Sequence, residues 1–505
     1  MFKNIGSNWV VTLVTVAALY VLTPFTIHKL GADAYGTWML ITAMTGYLSL
    51  LILGVPMASV REFATHVAEG DQEKLGRAIG GCMALYLLLG GIALTVGIGL
   101  YVFFSFYNIP APLSVDAHWA FILMVAFVAL GFVGLLPEGV LAASDDFVPR
   151  NIVRLSALLL RVVLTVVFLT LHASLALLAL VQIACLAFDF GLCWVFIWRR
   201  YPGLRVRLRD FDWGMARGIF SFSLFVLVLN AGARLSFETD SLVIGAFQDV
   251  GSIPYFTVAN SFLIYLMEFV IAIAAVVMPT ATRLKTQGKT PELRAIFLKW
   301  SKVALSLSLM VGLFLIVLGP RFIAWWIDPT FEAPAGAVLQ ILMVSYLIFL
   351  PVRGVALPIL MGLGKPGRPT IAFLAAGLLN LGLSILFVRP LGIAGVALGT
   401  AIPNVLFAGY VLTYACRELD TPVLGYLRYV VPRAVAGALP VLALLVWFKL
   451  GLGVRSIGEL VIAGIVMVAV FALLWVLFVY RDDPYLDLRA HIPGFRVRQR
   501  QGEGA

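Results

Sequence analysis

Seven ionisable side chains interrupt long apolar stretches of this chain, and these residues have the greatest capacity for chemistry. They are three arginines and four acids: Arg161, Arg234, Arg353, Asp189, Glu238, Asp240 and Glu268. A charge at the centre of a lipid bilayer costs several kcal/mol unless it finds a partner or lines a water-filled cavity. Each of the seven therefore predicts either a buried ion pair or a polar pathway through a membrane.

Local spacing separates these two interpretations only in part. Asn230, Arg234 and Glu238 recur every four residues, so they share one helix face, and the Arg234–Glu238 step allows a salt bridge. Asp240 lies beside this stripe. An internal ion pair and a transport role both remain open here.

The other embedded charges also have to be interpreted either as ion pairs or as the lining of a cavity. Arg161 and Asp189 fall on consecutive apolar segments, where they could pair between helices or face a cavity. Glu268 and Arg353 have no partner close in sequence, which favours a water-filled cavity around them.

Composition requires that membrane helices position these side chains. The chain has 505 residues, of which 62% are hydrophobic and 12% charged, and its mean hydropathy is +1.01. Soluble domains are about 25% charged, and one helix needs about 20 apolar residues to cross a bilayer. We predict an all-α membrane protein with about fourteen spans, at 8–28, 36–60, 77–104, 117–141, 150–171, 174–198, 215–245, 252–282, 292–318, 336–362, 369–388, 395–415, 432–449 and 458–480.

The basic residues predict the orientation of these spans. With a cytoplasmic N-terminus, 28 of the 36 Lys and Arg residues fall in the cytoplasmic connections or at the span ends next to them, five in or next to the outer connections, and three deep within spans. Cytoplasmic loops of membrane proteins carry this excess. Both termini are therefore expected in the cytoplasm, and the net charge of +10 does not indicate a nucleic-acid partner.

A basic connection divides the spans into two halves. We predict a six-helix bundle over 1–198, a cytoplasmic hinge over 199–214, a second six-helix bundle over 215–415, helices 13 and 14 over 416–480, and a tail over 481–505 that we expect to be dispensable. The turns 30–36 and 244–255 both carry Gly-Ala, then Gly and Tyr, which suggests an internal repeat.

The sequence disfavours an enzyme. It contains no HExxH, Walker A or GxSxG motif and no Cys/His cluster with metal spacing, and the predicted outer loops are short. No metal or organic cofactor is expected.

Three segments carry a resemblance to a known family. The first, 30–71, includes Gly31, Tyr35, Gly36 and Arg61; the second lies around 240–255 and the third covers 363–404. In this order they resemble Wzx-type polysaccharide and O-antigen flippases of the multidrug/oligosaccharidyl-lipid/polysaccharide (MOP) superfamily. Span number and the midpoint hinge agree with that family over almost the whole chain.

The resemblance implies two six-helix bundles around a central cavity, plus two C-terminal helices, in the bacterial inner membrane. Such proteins flip undecaprenyl-pyrophosphate-linked oligosaccharides outward for lipopolysaccharide and other surface polysaccharides, by alternating access and next to a polymerase. Because arginine binds phosphate oxygens in pairs, the resemblance implies a pyrophosphate and glycan site formed by Arg161, Arg234, Arg353 and Asn230. The embedded acids are the candidates for coupling to H⁺ or Na⁺, namely Asp189, Glu238, Asp240 and Glu268.

Two alternatives come from the same superfamily. A MATE-like exporter of organic cations often places an Asp in its first helix, whereas the first predicted span here has no acid, and three embedded arginines would repel a cation. A lipid II flippase would be expected to show an Arg-rich first helix, which this chain lacks.

Overall fold

The computed structural model describes residues 2–144, 147–206, 227–228 and 230–488, with the side chains of 2–10, 12, 13 and 147 excepted. Over these residues the chain is helical and contains no strand. The all-α membrane fold that composition predicts is thus confirmed. Parts of the seventh span, the hinge and the tail lie outside the described residues, so the hinge stays a prediction.

Eight α-helices of the first half have both of their ends within the described residues. They are α1 (Phe2–Leu30), α2 (Ala32–Gly46), α3 (Val55–Glu69), α4 (Gln72–Phe104), α5 (Ala111–Ala143), α6 (Phe147–Leu171), α7 (Leu175–Arg200) and α8 (Thr239–Phe247). A 3-10 turn over Tyr47–Ile52 joins α2 to α3, and helical residues 230–237 precede α8.

The second half, described up to residue 488, continues with nine α-helices. They are α9 (Ile253–Ile271), α10 (Ala274–Thr286), α11 (Thr290–Val317), α12 (Gly319–Trp326), α13 (Glu332–Pro351), α14 (Leu357–Gly362), α15 (Gly367–Glu418), α16 (Val423–Leu450) and α17 (Ile457–Leu474). A π-helical turn over Val352–Ala356 joins α13 to α14, and a second one, Trp475–Val479, follows α17.

Eleven helices of the described chain are long and apolar enough to cross a membrane. One of them, α15, contains two of the predicted spans, because Gly392 adopts a left-handed φ of 59° and turns the chain between them. The second predicted span is also divided: α2 ends in the 3-10 turn, and α3 begins at Val55, next to the Gly54 and Pro56 that interrupt the apolar run. The number fourteen itself stays a prediction, since part of the seventh span is not described.

The helices form two compact units, one up to Pro254 and one from Tyr255. In the first, α5 packs against α4 and α7, and α6 packs against α1 and α7. In the second, α11 packs against α13 and α16, and α13 also packs against α15. The spans that contain α11 and α13 are 61% and 67% buried, against 28%, 33% and 22% for those of α15, α16 and α17, so these two helices form the centre of the second unit.

The beginning of the predicted tail is packed against this second unit. Asp483 is buried, and its carboxylate pairs with the buried Lys302 of α11 at 2.5 Å and accepts a hydrogen bond of 2.7 Å from the Tyr429 hydroxyl of α16. A dispensable tail would therefore begin after this contact rather than at Arg481.

Candidate functional site

A polar cluster surrounds Arg234 in the first unit. The guanidinium of Arg234 forms an ion pair with Glu238 one helical turn later. Its second terminal nitrogen donates a hydrogen bond of 2.9 Å to the Ser49 hydroxyl, on the 3-10 turn that follows α2. The salt bridge predicted from the four-residue step is thus present, and it is joined to a distant part of the sequence. We call Arg234, Glu238, Ser49, Tyr47 and Thr239 the Arg234 cluster.

Two hydroxyl groups complete this cluster. The Tyr47 hydroxyl lies 2.5 Å from that of Thr239 and 3.3 Å from the Arg234 carbonyl, to which it donates. Asp240 is buried beside it and interacts electrostatically with Tyr47. Asn230, by contrast, is exposed and lies outside this cluster, so the predicted polar stripe is divided.

Gly46 permits the close approach between the ion pair and α2. A Cβ at this position would lie 2.9 Å from a terminal nitrogen of Arg234 and 3.0 Å from a carboxylate oxygen of Glu238. Both distances are shorter than an ordinary van der Waals contact. The absence of a side chain at position 46 therefore leaves the space that the ion pair occupies.

Arg353 has a different environment in the second unit. It lies in the π-helical turn after α13, and its guanidinium carbon is 5.4 Å from the centre of the Phe373 ring of α15, within cation–π range. Its buried Nε has no hydrogen-bond partner among the described residues. The guanidinium thus retains donors for a ligand, and π-helical turns are frequent at functional sites.

Glu268 lies close enough to Arg353 to interact with it electrostatically. The packing of α9 against the π-helical turn explains this proximity. A Cβ on Gly354 would lie 2.9 Å from a methyl group of Val270 and 3.1 Å from its carbonyl oxygen, so only glycine allows the two backbones to approach this closely. Glu268 itself is exposed. The two charges without a partner close in sequence are therefore neighbours in space.

The structure does not bring Arg161 and Asp189 together as an ion pair within the described residues. The Arg161 side chain reaches the Cys185 thiol, one turn before Asp189, and its Nε has no hydrogen-bond partner there. Asp189 instead accepts a weak hydrogen bond of 3.4 Å from the Cys193 thiol. It faces a separate charged group in which Glu138 pairs with two arginines, Arg150 at 3.4 Å and Arg154 at 2.9 Å.

The residues of the family motif hold two turns of the first unit together. Gly31, with a left-handed φ of 82°, separates α1 from α2. Gly36 is packed so tightly that a Cβ would lie 1.9 Å from the Val250 carbonyl oxygen, and a Cβ on Gly251 would lie 2.3 Å from an Asp33 oxygen. The two similar turns that suggested a repeat are thus in mutual contact, each through a glycine.

The remaining motif residues differ from each other in burial. Tyr35 is buried on α2, whereas Arg61 is exposed on α3, away from these turns in sequence. Among the described residues no group of three His, Cys, Asp or Glu side chains is arranged to hold a metal ion.

Sequence reasoning missed several residues that the site contains. Tyr47, Ser49 and Gly46 lie within the second predicted span, and polar residues in that apolar run were the available signal. Phe373 gave no signal, because an aromatic residue in a membrane helix is ordinary.

The sequence of the chain is similar to a known protein family and to a bacterial membrane protein. Residues 1–285 match the family described as "Polysaccharide biosynthesis protein". The chain is 22% identical over 452 residues to the "Uncharacterized membrane protein EpsK" of Bacillus subtilis (strain 168), and the match covers 86% of each chain.

Two solved structures share the fold. An inward-facing multidrug resistance MATE transporter of the MOP superfamily superposes with a TM-score of 0.68 at 17% identity, over 80% of this chain and 94% of the transporter. The lipid II flippase MurJ in an inward closed conformation superposes with a TM-score of 0.67 at 15% identity, over 93% of this chain and 99% of MurJ. At these identities the likeness establishes a common fold, which is that of multi-pass transporters.

Proposed function

The chain belongs to the polysaccharide biosynthesis protein family, and on that premise we propose that it flips a polyprenyl-pyrophosphate-linked oligosaccharide from the cytoplasmic to the outer leaflet. The family and the shared fold indicate a multi-pass flippase of the MOP superfamily that serves polysaccharide biosynthesis. The proposal adds the lipid-linked substrate, the direction, the bacterial inner membrane and alternating access.

The observation that carries the substrate assignment is the state of Arg353. This guanidinium lies in the most buried span of the second unit, stacked on Phe373, with an Nε that has no hydrogen-bond partner in the described structure. An embedded cation of this kind is costly unless a ligand or water compensates it. A pyrophosphate fits because its oxygens accept the parallel hydrogen bonds that a guanidinium donates. Arg161 would be a second phosphate-binding side chain for the same reason.

Arg234 would bind the substrate by exchanging partners. In the structure its charge is compensated by Glu238. Protonation of Glu238 would release the guanidinium for a phosphate, so binding of a proton at Glu238 would favour binding of the substrate at Arg234. Asn230 would contact the sugars, since its exposed amide can both donate and accept hydrogen bonds.

Glu268 interacts electrostatically with Arg353. We therefore give Glu268 the role in the second unit that Glu238 has beside Arg234. Asp240 and Asp189 are further candidates for binding H⁺ or Na⁺. The contact between the two glycine turns, Gly36 on Val250 and Gly251 on Asp33, would have to open in an alternating-access cycle. We also propose that the protein has two helical bundles joined by the hinge over 199–214, that both termini are cytoplasmic, and that it works with a polymerase.

Reconstitution in liposomes tests this function directly. We expect the purified protein to move a labelled polyprenyl-pyrophosphate oligosaccharide between leaflets, faster under an imposed proton or sodium gradient. Arg234→Ala and Arg353→Gln should abolish this movement while leaving insertion and thermal stability near wild type. Arg417→Gln, an exposed arginine at the end of α15, is the matched control and should transport normally.

The alternative of a MATE-like cation exporter predicts a different result. Such a protein would transport an organic cation under a gradient and leave the oligosaccharide in place. Loss of the embedded positive charge in Arg353→Gln would then raise cation transport instead of abolishing activity. Either finding would overturn the proposed substrate.

A further inference from the structure

An apolar groove runs along the outside of α15, between the two helices that Gly392 separates. Its volume is about 540 Å³. One wall is made concave by small side chains, among them Ala372, Ala375 and Ala376, and the other is built from larger ones such as Leu406 and Tyr410. Leu406 and Tyr410 are 57% and 47% exposed, so the groove is open to whatever surrounds the protein. In a membrane that surrounding is lipid chains.

One charged residue lines this groove, and it lies at one end. Arg368 lines it and is exposed, and its guanidinium carbon lies 5.3 Å from the centre of the Tyr414 ring. Arg368 forms no ion pair within 4 Å in the described structure, because the nearby Glu418 pairs with Lys365 instead. Stacking uses the face of the guanidinium and leaves its N–H groups at the edge available.

The distance between the charge and the groove suits a lipid. Arg368 precedes Ala375 by seven residues, which is two helical turns or about 10 Å. A phosphate bound at Arg368 would therefore have its hydrocarbon chain at the level of the alanines. On the proposed orientation this end of α15 faces the cytoplasm, where anionic lipids attract basic side chains.

A second groove of the same kind lacks this feature. It lies between α5 and α7, has a volume of about 210 Å³, and is lined only by uncharged side chains, Ala187 among them. Ordinary membrane lipid is sufficient to cover such a surface. The comparison shows that a charge at the mouth is not a general property of grooves in this protein.

We propose that the groove of α15 is a binding site for one anionic phospholipid of the cytoplasmic leaflet. Its acyl chain lies against Ala372, Ala375 and Ala376, and Arg368 binds its phosphate. The site is separate from the residues proposed for transport, and it does not depend on the identity of the transported glycan.

Native mass spectrometry of the purified full-length protein tests this site. On titration with phosphatidylglycerol we expect one retained lipid, and weaker retention of phosphatidylethanolamine. Arg368→Gln should lower the affinity for phosphatidylglycerol about fivefold, the effect of one basic residue near an anionic headgroup. Ala375→Trp, which fills the groove, should remove the retained lipid; Ala372→Leu is the second filling variant if the tryptophan prevents folding.

Matched controls separate this site from general lipid coverage. Arg417→Gln removes an exposed arginine of the same helix that does not line the groove, and Ala187→Trp fills the second groove. Both should retain the lipid as the wild type does. Equal binding by Arg368→Gln and wild type would overturn the proposal. So would preferential retention of a polyprenyl phosphate, since the groove would then hold the substrate's carrier.

Discussion

At the scale of single residues, Gly46 determines how closely the Arg234 ion pair approaches α2. A Cβ would contact only the ends of two flexible side chains, at 2.9 and 3.0 Å, so the ion pair can shift and the backbone need not. We therefore expect Gly46→Ala to keep most of the stability of the protein and to lower transport severalfold, because it displaces Arg234 from Ser49. Thermal melting and the liposome assay measure the two effects. Normal transport by this variant would show that the position of Arg234 is not critical.

Lys302 and Asp483 form a second ion pair, and it is fully buried. Burial by itself raises the pKa of Asp483, but hydrogen bonds from Lys302, Tyr429 and the Tyr485 backbone outweigh it, so the pKa is lowered from its ordinary value. A lowered pKa stabilises the fold above the unfolded pKa of about 3.9, and this stability is lost as the pH falls through the folded pKa.

Asp483→Asn should therefore destabilise the protein at neutral pH. Removal of one partner from a buried ion pair costs about 3–5 kcal/mol. The difference in melting temperature between wild type and variant should be constant above about pH 5 and shrink below it, because protonated Asp483 also lacks its charge. Asp71→Asn, at an exposed pair that caps α4, is the control and should have little effect. A difference that does not depend on pH would contradict the ionic role of Asp483.

Some residues of these sites could be predicted from the sequence, and others could not. The Arg234–Glu238 pair followed from its spacing, because one helical turn joins the two residues wherever the helix lies. Ser49 and Tyr47 could not be found in this way, since nearly 190 residues separate them from Arg234 and only tertiary packing brings them together. For Arg161 and Asp189 the sequence left an ion pair and a cavity-facing role open, because the register between two helices cannot be read from either helix alone; in the structure Arg161 meets Cys185 instead.

At the scale of helices and turns, two glycines fix the contact between the start of α2 and the turn before α9. Gly36→Ala would put a Cβ 1.9 Å from the Val250 carbonyl oxygen, and a backbone atom cannot turn away as a side chain can. Overpacking usually costs 1–3 kcal/mol, and we expect about the upper end of this range. Thermal melting of purified protein should show the loss.

Gly91→Ala is the matched control for this helix glycine. A Cβ at position 91 of α4 meets no atom within 4 Å, so the substitution should be neutral or slightly stabilising. Equal melting temperatures for Gly36→Ala and Gly91→Ala would mean that the two turns separate without cost in the purified protein.

The helices themselves were largely predictable, because apolar length is a strong signal in a membrane protein. The positions at which these helices are interrupted were harder to predict. Gly54 and Pro56 marked the end of the 3-10 turn, but nothing in the sequence required that turn to begin at Tyr47. Gly392 separates the two helices of α15 with so short a turn that the helical pattern continues across it. The π-helical turn at Val352–Ala356 carries no signal in the local sequence that would distinguish it from an ordinary helical turn.

At the scale of the whole molecule, the distribution of charge makes a prediction that the helices alone do not. The predicted even number of spans, with 28 basic residues on one side against five on the other, leads us to predict that both termini lie in the cytoplasm. We expect a green fluorescent protein fused to the C-terminus to fluoresce in cells and an alkaline phosphatase fused there to be inactive. A phosphatase fused after Arg389, in a predicted outer turn, is the control and should be active. Activity at the C-terminus beside an active fusion at Arg389 would mean that an even number of spans follows Arg389 instead of the predicted three. An inactive fusion at Arg389 would instead place Arg368 and its groove at the opposite leaflet.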